Sequence, residues 1–323
     1  MDIEIEVMGV DAVHEYLPAA NSDEQPDKPA QPKKKKMMLI QAAMQNLIGT
    51  MDERGRGIRD WQDSCFQSVD QAFPGWCRDG DYIVIAARPG VGKTSFGHQI
   101  AESIAQKNKT VLFFSLEMSA ERLAARSLSR MTGVDLTKMK MGTLSDDEWD
   151  KIAAAIPQYT DLPLLINEGG VSISDIEKNV RKVQESLAGA GLPPLGCVLI
   201  DYIQKIQSEE KDSIAAMKNI STRLLDLARE INVPFIVLAQ LNRGVESRVN
   251  KRPGPSDLKE SGQIEQDADT IMMLYRDEMY NPESNQKGIA ELIVVKNRDG
   301  CQDTVKLLFS GERTQFGDMY VEH

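Results

Sequence analysis

Cysteine is scarce in this chain. Four residues, Cys65, Cys77, Cys197 and Cys301, are scattered with no Cys-x-x-Cys spacing. That excludes a disulfide scaffold and a thiolate zinc site, and fits buried or incidental thiols in a reducing cytosol. Three histidines, His14, His98 and His323, are too few and too dispersed to form a zinc site. No apolar run approaches the roughly 20 residues that a membrane helix needs, so no membrane partner is expected. The first residues are acidic where a signal peptide would be basic. Positive charge is also in deficit: 38 Lys and Arg stand against 49 Asp and Glu, a net charge of −11. The whole surface therefore cannot coat DNA or membranes nonspecifically. A local basic channel stays open, because affinity for nucleic acid depends on where the cations sit.

What is present is sharper. Over 323 residues with 41% hydrophobic content, the chain can bury a full core plus an appendage. Tyr82-Ile-Val-Ile-Ala86 reads as a buried parallel strand, Ala87-Arg-Pro-Gly-Val-Gly-Lys-Thr94 as a Gly-rich turn, and Ser95 to Gln106 as a helix. Strand, turn, Gly-Lys-Thr and helix in that order make a P-loop. Backbone N–H groups from Arg88, Pro89's neighbours, Gly90, Val91, Gly92 and Ser95 converge on phosphate oxygens. In this frame Lys93 reaches the β/γ-phosphates and Thr94 ligates Mg²⁺. The strict pattern begins with Gly and this chain has Ala87, while Gly90 and Gly92 keep the backbone free.

Three zones are expected. Residues 1–36 hold an acidic-apolar piece (Met1 to Met8), a polar linker with Pro, and Lys33 to Lys36, and cannot bury enough to fold alone. They read as a disordered tail or as a short interaction peptide that adds as an edge strand elsewhere. Residues 37–67 begin with an amphipathic helix, in which Met38, Ile40, Ala43, Leu47 and Met51 recur at helical spacing. Such a stripe needs a partner surface. From about Ser68 to the end, apolar strands alternate with helices, giving an α/β fold with a mainly parallel sheet and helices on both faces. Strands are expected at Tyr82–Ala86, Val111–Ser115, Leu164–Asn167, Cys197–Ile200, Phe235–Ala239 and Thr270–Tyr275, and helices at Ser119–Met131 and Ile214–Ile231. Ser145 to Glu148 and Ser174 to Glu177 read as capping boxes. Ile289–Lys296 and Thr304–Phe309 read as a C-terminal antiparallel hairpin at a sheet edge.

Several strand ends carry chemistry. Gly196-Cys-Val-Leu-Ile-Asp201 ends in an acid suited to the Mg²⁺ shell of a P-loop enzyme. Glu117, just past Val111–Ser115, can polarise an attacking water, or can simply open a helix where its charge suits the dipole. Gln240 can hydrogen-bond a γ-phosphate, or can merely close its strand. The basic, Pro-containing loop Arg243 to Pro255 and the segment Asp257 to Asp269 can follow a phosphate backbone, as can any loop of that composition. Lys296 and Arg298 on a hairpin can stabilise phosphoryl transfer as a finger does, or can be solvated. If they act, hairpin geometry aims them at a neighbouring subunit's nucleotide.

Taken in this order, Ala87 to Thr94, Ser115-Leu-Glu-Met118, Leu199-Ile-Asp-Tyr202, Ala239-Gln-Leu-Asn-Arg243, Ser261-Gly, Ile264 to Asp269, Tyr275-Arg-Asp-Glu278 and Lys296-Asn-Arg298 resemble the DnaB-type replicative helicases. The resemblance spans about Ser68 to Phe316. It implies a RecA-like P-loop ATPase core, a homohexameric ring with ATP and Mg²⁺ between neighbours, and single-stranded DNA in the channel, with 5′→3′ movement and unwinding of forked DNA. By match of position it implies Lys93 and Thr94 as the P-loop pair, Glu117 as the water-activating carboxylate and Asp201 as the Mg²⁺-associated acid. Gln240 becomes the sensor, Lys296 and Arg298 the finger, and Lys259, Glu260 and Gly262 the loop that follows DNA. The family usually has Arg where this chain has Lys259, which keeps the charge but loses the bidentate fork.

The N-terminus departs from the family. Members carry a large helical collar domain that meets primase, whereas the 36 residues before Met37 do not resemble it. The helix from Met37 matches in position the linker helix that docks on the next subunit. Ring formation can thus persist while contacts with a loader or primase are open. Such reduced forms suggest a bacterial cytoplasmic enzyme encoded by a phage or plasmid. Two rival readings remain: a RecA-like DNA-binding ATPase that does not unwind, and an interaction protein that modulates a host helicase ring. The Lys-x-Arg hairpin and Ser-Leu-Glu-Met speak against the first. The intact set Lys93, Glu117, Asp201, Gln240 and Arg298 speaks against the second.

Overall fold

A computed structural model of the chain describes residues 39–210 and 212–319. The expected tail, with Met1–Met8 and Lys33–Lys36, lies outside the described residues, as do Met37 and Met38. The chain begins with α1 (Ile40–Gly55) and the short α2 (Gln67–Ala72), then runs β1 (Tyr82–Ala87), α3 (Lys93–Gln106), β2 (Thr110–Ser115), α4 (Ala120–Thr132), α5 (Leu136–Met141), α6 (Asp146–Ala155) and β3 (Leu164–Glu168). It continues through α7 (Ile173–Ala190), β4 (Leu195–Asp201), α8 (Ser213–Ile231), β5 (Phe235–Gln240), α9 (Gly262–Asp267), β6 (Thr270–Tyr275), β7 (Ile289–Asn297), β8 (Thr304–Ser310) and β9 (Gln315–Asp318). All six expected parallel strands form, within two residues of their expected ends.

One nine-stranded sheet, ordered β3-β2-β4-β5-β1-β6-β7-β8-β9, organises these elements. The strands from β3 to β6 are parallel, and β6 to β9 are antiparallel. β1 is central and completely buried, as a parallel strand covered on both faces must be. Its side chains alternate between two cores: Tyr82, Val84 and Ala86 pack on one face with α7 and α8 residues such as Val180 and Leu224. Ile83, Ile85 and Ala87 pack on the other with α3 and α4 residues such as Phe96, Ile104 and Leu123. This two-residue alternation is how one apolar run supplies two hydrophobic layers.

Two expectations need correction. The hairpin β7–β8 is not a sheet edge, because β9 pairs with β8 through Phe309–Phe316 and Ser310–Gln315. At four residues, β9 is too short to stand out as a periodic pattern. The capping box of α7 sits two residues earlier than expected, at Ser172 and Asp175. Ser174 and Glu177 instead face α8, where both hydrogen-bond Arg223. The box at Ser145 and Glu148 forms as expected. α1 has no buried residue, and Ile40, Met44, Leu47, Ile48 and Met51 are exposed. Its end is tied to the domain by a two-bond Arg54–Asp60 pair.

Candidate active site

The parallel strands all end on one side of the sheet, and that side gathers the expected chemistry. Ala87 at the end of β1 lies beside Gln240 at the end of β5, and Ser115 of β2 lies beside Asp201 of β4. The P-loop emerges from the centre of this row. Gly90 and Gly92 have φ of +80° and +114°, a region open to glycine and costly for residues with a Cβ. A Cβ at Gly92 would also stand 2.8 Å from the Phe316 ring. Both observations explain why the Lys-Thr is preceded by glycine. α3 then begins at Lys93 with its first N–H groups facing the loop.

Three side chains mesh at this point. Lys93 Nζ donates to Asp201 Oδ1 at 2.7 Å, and Thr94 Oγ1 donates to Asp201 Oδ2 at 2.6 Å. Asp201 is fully buried. Lys93 also lies over the Tyr202 ring, 4.2 Å from its centroid. Burial pushes the Lys93 ammonium down from its ordinary value, while Asp201 and Glu117 act in the opposite direction. Glu117 is exposed just past β2, within electrostatic reach of Lys93, Tyr202 and Arg126. One hydroxyl and one carboxylate are hard oxygen donors of the kind Mg²⁺ takes alongside phosphate and water. Among the described residues, no group of three or more His, Cys, Asp or Glu could hold a metal by itself. The residues present fit a cation that arrives with a phosphate ligand.

Other predicted residues take different places. The Arg88 side chain is turned away from the loop's mouth. It is buried, and donates from Nε to Glu246 at 2.7 Å and from Nη1 to the Leu241 carbonyl at 2.7 Å. It ties the P-loop to the segment after β5, leaving only its backbone for phosphate. Lys259 and Glu260 lie in the 3₁₀ turn Pro255–Ser261, and Gly262 opens α9. That turn is pinned by buried Leu258 and by Asp257, which accepts from Arg248 at 2.6 Å and from Gly254 N–H at 2.8 Å. Lys296 and Arg298 sit at the opposite end of the sheet. Lys296 pairs with Ile271 and Asn297 with Thr270, and Thr270 lies beside Ile83 near the start of β1. At roughly 3.3 Å per residue, four residues of β1 place them about 13 Å or more from their own P-loop.

Two further residues join the site without a sequence signal strong enough to single them out. Arg126 of α4 donates to Ser95 Oγ at 3.2 Å. Burial lowers its pKa first, with Asp201 and Glu117 pulling the other way. Among the described residues it has no carboxylate ion pair. Its reach depends on the packing of α4 over α3, through Leu123 and a buried Glu102 that accepts from Ser127 and pairs with Arg130. Gln204 clamps the end of β5: its Nε2 donates to the Gln240 carbonyl and its Oε1 accepts from Gln240 N–H, both at 3.1 Å.

β9 closes the site from behind. Phe316 stacks edge-on against Phe96 of α3, 5.3 Å between centroids, and tilts against Phe309 at 4.8 Å. Gln99 holds the Phe316 backbone from both sides, donating at 3.0 Å and accepting at 2.8 Å. The last strand thus buttresses the P-loop helix.

Comparison with known proteins agrees with this arrangement. Residues 63–318 match the family model of the DnaB-like helicase C terminal domain. The replicative DNA helicase DnaC of Bacillus subtilis is 40% identical over 256 residues, covering 78% of this chain and 55% of that protein. The replicative DNA helicase DnaB of Geobacillus stearothermophilus is 39% identical over 256 residues, with 78% and 55% covered. The chain therefore spans about half the length of these relatives. Among solved structures, an isolated ATPase domain superposes with a TM-score of 0.79 at 32% identity, over 88% of this chain and all of that one. A DnaB-like replicative helicase studied with primase superposes at 0.78 and 32% identity, over 89% of this chain and 68% of that one. With its RecA-like sheet and a P-loop whose Lys93 and Thr94 meet Asp201, this chain belongs to the family of DnaB-like helicase C-terminal domains.

Proposed function

We propose that this chain is an ATP-driven DNA-unwinding motor that works as a homohexameric ring and moves 5′→3′ on single-stranded DNA. One observation carries the reading: the P-loop and the Lys296–Arg298 pair lie at opposite ends of the same sheet, so a phosphoryl-transfer site that uses both would need two subunits. The exposed apolar stripe of α1 supports the same conclusion, since a neighbouring copy is the surface it would dock on.

The roles follow from the geometry. ATP lies on the P-loop, its phosphates held by backbone N–H groups of Gly90 to Ser95 and by Lys93, which exchanges its contact with Asp201 for the β/γ-phosphates. Thr94 and Asp201 would hold Mg²⁺, which supplies neutralisation of phosphate charge when bound. Glu117, exposed and within electrostatic reach of Lys93, orients and polarises the attacking water. Gln240 senses the γ-phosphate from a strand end that Gln204 keeps fixed. Lys296 and Arg298 reach the neighbour's site, where a finger of this kind contributes roughly 10³–10⁵ in rate. Lys259, Glu260 and Gly262 follow the DNA backbone. A loader or a primase is the further partner class. Among the described residues no helix is long and apolar enough to cross a membrane.

The test is unwinding of forked duplexes carrying a 5′ or a 3′ single-stranded tail, with ATP and Mg²⁺. Unwinding that needs the 5′ tail and disappears in Lys93→Ala is expected. DNA-stimulated hydrolysis without unwinding of either fork would overturn the motor reading in favour of a non-unwinding ATPase.

A further inference from the structure

We propose that Asp269 is the positioning residue of the Arg298 finger; the proposal rests on reading Arg298 as that finger. Asp269 lies just before β6 and is 9% exposed. It grips Arg298 twice. Its carboxylate Oδ1 accepts from Arg298 Nη1, and its carbonyl accepts the Arg298 backbone N–H at 2.9 Å. The other carboxylate oxygen accepts Tyr82 N–H at 3.0 Å, at the start of β1. One residue therefore ties the finger, backbone and side chain, to the central strand of the sheet. The neighbouring cation is held separately: Lys296 Nζ donates to the carbonyls of Glu265 at 2.7 Å and Gln266 at 3.1 Å, in α9.

The chemistry of the grip matters. The Arg298 side chain is 46% exposed, and an arginine left to itself spreads over many rotamers. A single carboxylate bond at Nη1 removes most of that freedom. It leaves Nε and Nη2 to donate, enough for a phosphate oxygen across an interface. Arg229 of α8 stands 3.5 Å from the same oxygen, a second cation that helps hold the carboxylate in place. Asp269 touches no nucleotide; it acts through Arg298. Displacing a catalytic group by about 1 Å can cost on the order of 10²-fold.

The experiment uses the full chain, alone and in mixed rings, with ATP turnover and nucleotide affinity both measured. Asp269→Asn keeps an acceptor for Tyr82 N–H and loses the charge. It is expected to bind ATP with unchanged affinity while kcat falls roughly 10- to 100-fold. Mixing it with Lys93→Ala subunits should restore turnover, because those subunits lend an intact finger to an intact P-loop. Mixing it with Arg298→Ala should restore nothing, because both fingers are impaired. Asp269→Glu, which keeps the charge one methylene further out, should lose less and be rescued in the same way; it decides the question if Asn lowers ATP affinity. Wild-type turnover in both variants overturns the proposal. So does a loss that Lys93→Ala does not rescue while the same partner rescues Arg298→Ala, since the defect would then lie in the variant's own site. If Arg298→Ala itself is not rescued by Lys93→Ala, the shared-site reading fails first, and the role of Asp269 with it.

Discussion

The two ends of the sheet are built on opposite principles. At the P-loop end the side chains are closed on one another: Lys93 is only 10% exposed, and its partner Asp201 is fully buried. At the far end Arg298 is 46% exposed and held by one buried carboxylate. The first arrangement suits groups that must meet a highly charged ligand with little reorganisation. The second suits a group that must present donors to another molecule without wandering. The contrast is the one expected if, as proposed, the catalytic unit spans two subunits.

Substitutions at the two ends should separate cleanly. Lys93→Ala is expected to abolish both nucleotide binding and turnover, whereas Arg298→Ala should keep binding and lose about 10³-fold in turnover. Equal loss of ATP affinity in both variants, by fluorescent-nucleotide titration, would erase the distinction between the ends. Next in size is Phe316→Ala, which removes the aromatic wedge behind Gly92 and Phe96. It should destabilise the domain by roughly 3–5 kcal/mol in chemical unfolding; an unchanged midpoint would mean that β9 does not support the P-loop. Arg126→Ala should weaken ATP binding roughly 10-fold, the loss of one charge-assisted hydrogen bond, with kcat less affected. An effect on kcat alone would instead place Arg126 with the transition-state groups.

The smallest effect belongs to the far end and to pH. Burial pushes the Asp81 carboxyl up to about 6, helped by Asp269 and Asp299 and opposed by the Arg78 N–H bond and the Arg78 charge. In the unfolded chain it ionises near its usual value of about 4. Between these values the folded state binds more protons, so stability falls as pH rises through the window, and the penalty is complete above it. Asp81→Asn should therefore melt higher than the parent at neutral pH, with the difference shrinking as pH falls from about 6 towards 4. A constant difference across that range would assign the effect to something other than the charge.

Much of this was legible from residue order alone. An apolar run with β-branched residues, a turn that tolerates positive φ, and Lys-Thr at a helix start can only be assembled one way locally, so β1, the P-loop and α3 were readable from adjacent positions. The parallel strands and their terminal Asp201 and Gln240 followed from the same run-and-turn rhythm. Sequence also marked Glu117 and Arg298, but left each with a second reading. The tertiary structure decided what depends on residues far apart in the chain meeting. It brought Thr94 and Lys93 onto Asp201, over a hundred positions away, and turned Arg88 from the phosphate towards Glu246. It aimed Arg126 at Ser95 across two packed helices, and folded the four-residue β9 back onto the P-loop. It also set Arg298 on Asp269 at the end of the sheet remote from its own nucleotide site. None of these has a period or a neighbour in sequence, because each is fixed by packing of whole elements and not by local backbone preference.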